Sequence, residues 1–209
     1  RRSIAENDFK KVTVLNAVLS DRQESLTVYK ESVADEEHLK SLTGLERNEV
    51  ARREDILREG VRRRSQTLDG LCEQESISPT VLKIDVRGAE GKVLAGASRI
   101  LTKCLDYVLL EIHPEEMLMQ YSPGHTRRSI IEALRDAGFN CYLVSGFRTT
   151  KRSPEYKRLL ENGELSCHFI DMEKYDTLFF DRNATDVFVL ASKRNIDITS
   201  LGCISDVIT

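Results

Sequence analysis

Apolar and polar positions switch between two periods along this chain. Val81-Leu82-Lys83-Ile84-Asp85-Val86 is too short for a lone helix and rich in β-branched residues, which predicts a buried strand with Asp85 at its carboxyl end. Past a turn at Gly88, the residues Ala89, Val93, Ala97, Ile100 and Cys104 recur at helical spacing and predict a helix. Asp106 to His113 reads as a second apolar strand, polar at its end and stopped by Pro114, which has no N–H for a ladder. Ser129 to Ala137 sets Ile130, Ile131, Leu134 and Ala137 on one helical face, with Gly138 as its stop. Cys141 to Val144 is the next strand, and Ser153-Pro154-Glu155 opens a further helix that Gly163 closes. Tyr175 to Phe180 and Asp186 to Ala191 predict two late strands forming an antiparallel hairpin through residues 181–184.

Nearer the start the pattern is weaker. Ile4 and Phe9 fit the last turns of a helix, Lys11 to Leu19 a strand ended by Ser20-Asp21-Arg22, and Ser25 to Tyr29 a half-exposed strand. From Glu31 to about Arg64 apolar content falls and both charge signs crowd together, which predicts a solvated insertion, helical or partly mobile. The triplet Arg62-Arg63-Arg64 is read first as an exposed edge strand whose charge opposes aggregation, and second as a holder of an anionic group. Thr67 to Leu71 begins a short helix with Asp69 as its expected cap.

Alternating strands and helices followed by a hairpin define an α/β class with a mostly parallel, helix-flanked sheet. At 209 residues the expectation is a single domain over residues 1–209, with the charged insertion at about 31–64. A net charge of −3 supplies no basic field for nucleic acid or an anionic membrane surface. No apolar run approaches the ~20 residues of a membrane span. Five scattered cysteines without a CxxC pair argue against a zinc knuckle or redox motif and fit a reducing, cytoplasmic setting. Asn183-Ala184-Thr185 matches a glycosylation sequon, a pattern short enough to arise by chance.

In open α/β sheets ligands bind outside the carboxyl ends of strands. If the strands ending at Asp85 and His113 pair in parallel, Asp85, Glu111 and His113 meet along one rim. Glu111 and His113, two apart, point to the same side of an extended chain. A histidine beside two carboxylates is suited to general-base chemistry near neutral pH, whereas the plainer alternative has Glu111 capping a loop over a packed His113. Lys83 needs a carboxylate in such a strand, and Glu90 or Asp85 is in reach for a structural ion pair. Gly91 to Gly96 has the glycine spacing of a phosphate loop but lacks the following Lys-Ser/Thr, and no GxGxxG occurs. His38, His125 and His168 lie in polar segments and read as surface residues.

Several stretches resemble the FkbM-type methyltransferase family: Thr67-Leu68-Asp69, Leu82 to Glu90, Val93-Leu94-Ala95-Gly96-Ala97, Leu110-Glu111-Ile112-His113, and Asn16 to Asp21. The similarity covers roughly residues 3 to 145. It implies a Rossmann-like domain that binds S-adenosyl-L-methionine and methylates a hydroxyl of a sugar, lipid-linked or polyketide-like acceptor. By that resemblance Asn16 and Ala17 border the adenine, and Asp85 lies near the methionine end and the acceptor. Glu111 and His113 face the acceptor, with His113 the first choice of base and Asp85 the second. Arg87 departs from the family, standing where the motif carries an acid. The family's glycine-rich loop and ribose-binding acid are missing, so the chain is expected to be the N-terminally truncated, C-terminal portion of a longer protein. Two other readings stay open: a degenerate Rossmann-like binding or assembly module, and metal-assisted hydrolysis with Asp85, Glu90, Glu111 and His113 as ligands.

Overall fold

The strand that ends beside Asp85 forms one edge, among the described residues, of a six-stranded mixed sheet. The structure is a computed structural model and describes residues 11–29, 60–145, 165–176, 186–196 and 203–204. The chain divides into two compact units: residues 1–18 with 22–66, and residues 19–21 with 67–209. The strands are β1 (Val18–Leu19), β2 (Ser25–Tyr29), β3 (Gly60–Gln66), β4 (Val81–Ile84), β5 (Tyr107–Ile112), β6 (Asn140–Ser145), β7 (Leu165–Phe169), β8 (Val187–Ser192) and β9 (Cys203–Ile204). The helices are α1 (Leu68–Gln74), α2 (Glu90–Ala95), α3 (Ser98–Lys103), α4 (Glu115–Tyr121) and α5 (Arg127–Asp136).

In the larger unit the sheet order is β4-β5-β8-β6-β7-β9. Strands β4 and β5 pair in parallel, with Ile84 opposite Leu110. Strand β8 lies antiparallel to both β5 and β6, so β4, β5 and β6 share one direction. Strand β7 opposes β6, and β9 follows β7. The α/β class holds, but the sheet is mixed where a mostly parallel one was expected. Strand polarity does not show in apolar content: β8 carries the same kind of run as β5 and enters between two parallel strands from the opposite end.

Ile84, Val108, Leu110, Ile112, Leu143 and Val189 are buried in the sheet. Val93, Leu94, Ile100, Leu118, Ile131 and Leu134 are buried on the helices. Each such side chain contributes about 1.5–3 kcal/mol. β4 differs from the buried strand expected of it: Val81 is 54% exposed and Lys83 also lies open, leaving Ile84 as its buried residue.

The single helix expected through Cys104 is two helices, α2 and α3, split at Gly96-Ala97. A Cβ at Gly96 would strike the carbonyl oxygen of Ser20, so glycine is required where that backbone passes. α3 then begins without a cap of its own, and Asp69 supplies one from α1. Its Oδ2 accepts from the Arg99 amide at 2.8 Å and its Oδ1 from the Ile100 amide at 2.9 Å. The cap of α1 itself is Thr67, whose hydroxyl accepts from the Gly70 amide at 3.0 Å. The expectation for Asp69 was therefore right in kind and wrong in helix.

α5 begins two residues before Ser129, because Thr126 and Ser129 form a reciprocal capping box; Gly138 follows it at φ +92°. α4, for which no helix was expected, opens after Pro114 with Glu115 and Glu116 in its first turn and buries Leu118. β7 was also missed. Tyr175 does not open a strand: it follows a 3-10 turn over Met172–Lys174 and lies in a helical turn with Asp176. Of the expected hairpin only β8 is described, and residues 177–185, including the sequon, lie outside the described residues. So do the helix at 3–9, the body of the insertion at 31–59 and the helix at 153–163.

In the smaller unit β2 and β3 pair antiparallel, with Leu26 opposite Arg63, and the sheet order is β1-β3-β2. The arginine triplet is exposed as expected, yet β3 is the middle strand rather than an edge. The strand expected over Lys11 to Leu19 shrinks to Val18–Leu19, and Val12, Val14 and Leu15 are exposed. No helix of the described residues is long and apolar enough to cross a membrane.

Cys72, Cys141 and Cys167 are buried free thiols, and Cys104 is half-buried. Burial pushes Cys141 up to about 12; burial first, and the charge of Glu115 second, push Tyr175 up to about 12. A raised folded-state value means stability that is complete below the unfolded value and lost as pH rises toward the folded one. Stability should therefore fall between roughly pH 9 and 12, with a shallower slope in Cys141→Val, as chemical denaturation at a series of pH values would reveal. Asp69→Ala should cost about 1–2 kcal/mol in the same assay, because two first-turn amides of α3 lose their acceptor.

Candidate active site

Parallel pairing of β4 with β5 brings both carboxyl ends to one rim. Asp85 follows β4, Glu111 is the penultimate residue of β5, and His113 comes directly after that strand. One donor atom from each of these three lies within 4.8 Å of the others. Glu111 and His113 are buried, at 4% and 6% exposure, while Asp85 is open to solvent.

Glu90, the first residue of α2, is fully buried. Its Oε1 accepts from the Gly88 amide at 2.9 Å and lies 2.8 Å from His113 Nδ1. A carboxylate oxygen accepts, so Nδ1 donates in this contact, and in the neutral imidazole the lone pair is then on Nε2. Nε2 is 4.0 Å from Asp186 Oδ1, just before β8. Glu90 Oε2 is buried and has no hydrogen-bond partner among the described residues.

The turn that delivers Glu90 is strained in a useful way. Arg87 and Gly88 both have positive φ, +50° and +95°. At Gly88 a Cβ would stand 2.7 Å from the Met117 carbonyl oxygen, so the turn sits close against α4. Arg87, the departure from the family motif, is exposed and holds a conformation that costs a non-glycine residue roughly 1–2 kcal/mol.

Two charged side chains steady the rim. Arg127 is 1% exposed and donates from Nε to the His113 carbonyl at 3.1 Å, while its amide donates to Glu115 Oε1 at 3.0 Å. Burial lowers its guanidinium from the usual value, and Glu115 is the first of the charges that oppose this. Lys83 Nζ is 3.3 Å from Asp85 Oδ2, the ion pair expected for it, with Asp85 and not Glu90 as its partner. Burial raises the Asp85 carboxyl, but the hydrogen bond and charge of Lys83, a hydrogen bond with Glu111 and the charge of His113 outweigh it and hold Asp85 below its ordinary value.

The structure thus brings Asp85, Glu111 and His113 together. Asn16 is exposed and Ala17 half-buried, and both belong to the smaller unit. His125, expected on the surface, is half-buried: its ring lies where a Cβ on Gly91 would go, and its Nδ1 is 3.2 Å from Ser122 Oγ. Sequence reasoning missed Arg127 and Asp186, and treated Glu90 only as a partner of Lys83 or a ligand. Glu90 carried a signal, its place in the motif after Gly88. Asp186 carried none, since only the insertion of β8 beside β5 brings it near His113.

The ionisable groups lie at the carboxyl ends of two parallel strands, the edge at which α/β sheets bind their ligands. The methyltransferase FkbM domain model matches residues 5–141, well over half of the chain, and the chain belongs to that family. No curated protein and no solved structure matches it.

Glu90→Ala should lower stability by about 3–5 kcal/mol, because the Gly88 amide and His113 Nδ1 would both lose a buried acceptor. Urea denaturation checks this, and an unchanged midpoint would contradict the arrangement.

Proposed function

We propose that the protein transfers the methyl group of S-adenosyl-L-methionine to a hydroxyl oxygen of a sugar, lipid-linked or polyketide-like acceptor. Family membership supports methyl transfer, and the convergence of His113 with Asp85 and Glu111 supports an oxygen acceptor, whose proton must leave. When bound, the cofactor supplies an electrophilic methyl carbon on sulfur.

The chain's own residues do the rest. His113 Nε2 accepts the acceptor's hydroxyl proton, its lone pair kept available because Glu90 holds the proton on Nδ1. Asp85, ionised through Lys83, is the second candidate for that role and fits an ammonium group such as that of a methionine moiety. Glu111 orients the acceptor from the buried side of the rim. Arg127 fixes the backbone that carries His113, so that Nε2 stays where the proton is released. Asn16 and Ala17 would border the adenine.

The test is methyl transfer from isotopically labelled S-adenosyl-L-methionine to a panel of hydroxylated acceptors, together with calorimetry against S-adenosylhomocysteine. Binding and transfer are expected, with His113→Ala lowering kcat by about 10²–10⁴-fold and leaving cofactor affinity intact. An absence of binding heat at millimolar ligand would refute the reading. Cofactor binding without transfer to any acceptor would favour a binding module instead.

A further inference from the structure

We propose that Asp85, Glu111 and His113 Nε2 form a binding site for one divalent first-row metal ion of the Mn2+ or Zn2+ class. The donors are two carboxylate oxygens and one imidazole nitrogen, a set that suits these ions better than Ca2+, which prefers oxygen alone.

The geometry needs little adjustment. Donors bound to one ion at about 2.1 Å stand roughly 3–4.2 Å apart, and the three atoms already lie within 4.8 Å of one another. Rotation of side chains by about an ångström completes the site, and Asp85, the exposed member, has the freedom to make it. Glu111 and His113 are held by burial and by the β5 backbone, and Arg127 ties down the carbonyl of His113.

A second observation is independent of the three donors. Metal-binding histidines nearly always give their other ring N–H to a carboxylate, a backbone carbonyl or water, which fixes the tautomer and makes the coordinating nitrogen more basic. Glu90 does this for His113 at 2.8 Å, from a fully buried position. A buried carboxylate carries a desolvation cost, which a cation held on the far nitrogen of His113 would offset. Three protein donors leave open positions on the ion, the arrangement of a site that also takes a substrate oxygen.

The consequence for chemistry rests on the methyl-transfer reading. With an ion bound, His113 is a ligand rather than a base. The acceptor hydroxyl then sits on the ion: an oxygen–metal bond forms, the O–H bond breaks, and the proton passes to the Asp186 carboxylate or to solvent.

Binding is tested on the chain itself, without methyl donor or acceptor, by titration with Mn2+ followed by electron paramagnetic resonance. Saturable uptake of one ion per chain is expected, with a pulsed spectrum showing coupling to one imidazole nitrogen. Glu111→Gln should abolish uptake and Glu90→Gln should weaken it by about 10–100-fold, with circular dichroism checking that each variant folds. No saturable uptake, no nitrogen coupling, or unchanged affinity in a folded Glu111→Gln protein would each overturn the site. Should that variant fail to fold, the nitrogen coupling of the unaltered chain decides. A protein that binds Mn2+ this way but transfers no methyl group upholds the ion site and refutes methyl transfer alone; a methyl-transferring protein that binds none refutes the ion site alone.

Discussion

The contact between Glu90 and His113 holds the rim together. One carboxylate oxygen, sealed from solvent, takes a hydrogen bond from the backbone of the β4–α2 turn and another from the imidazole at the end of β5. It ties two separate connections to a single point, so neither can move without leaving a buried polar group unpaired. The left-handed turn at Arg87 and Gly88 is part of the same device, because it leads directly into Glu90 and its Gly88 amide donates to the Glu90 carboxylate.

Around this point the unit solves its remaining problems locally. Asp69 closes the amino end of a helix that lacks its own cap, and Gly96 lets the backbone of Ser20 pass. Arg127, almost wholly buried, keeps its charge compensated by Glu115 while it secures the His113 carbonyl. The apolar core supplies most of the stabilisation, but these polar contacts select one arrangement of turns over others of similar burial. A functional rim needs that precision, since displacement of a reacting group by an ångström costs far more in rate than in stability.

Family membership and site geometry constrain different things. The family match covers residues 5–141 and speaks to methyl transfer. It ends before β7, β8 and Asp186, so an acid 4.0 Å from His113 Nε2 comes from outside it. A rim whose chemistry is shared between a family segment and a later strand can keep its proton handling while changing what it accepts.

The sequence alone determined the strand–turn–helix around Asp85, the strand ending at His113 and the meeting of Asp85, Glu111 and His113. These follow from local periodicity and from the short distance between adjacent parallel strands, both written in consecutive residues. It also determined that Lys83 would seek a carboxylate. Only the tertiary structure decided that α2 and α3 are separate, that Asp69 caps the second of them, that β8 enters antiparallel and that Asp186 arrives at the site. Each of those outcomes depends on groups far apart in the chain, and an apolar run carries no mark of its direction or its partner. Glu90 lies between the two cases: its type and place were legible, but its burial against His113 required both strands to be in position.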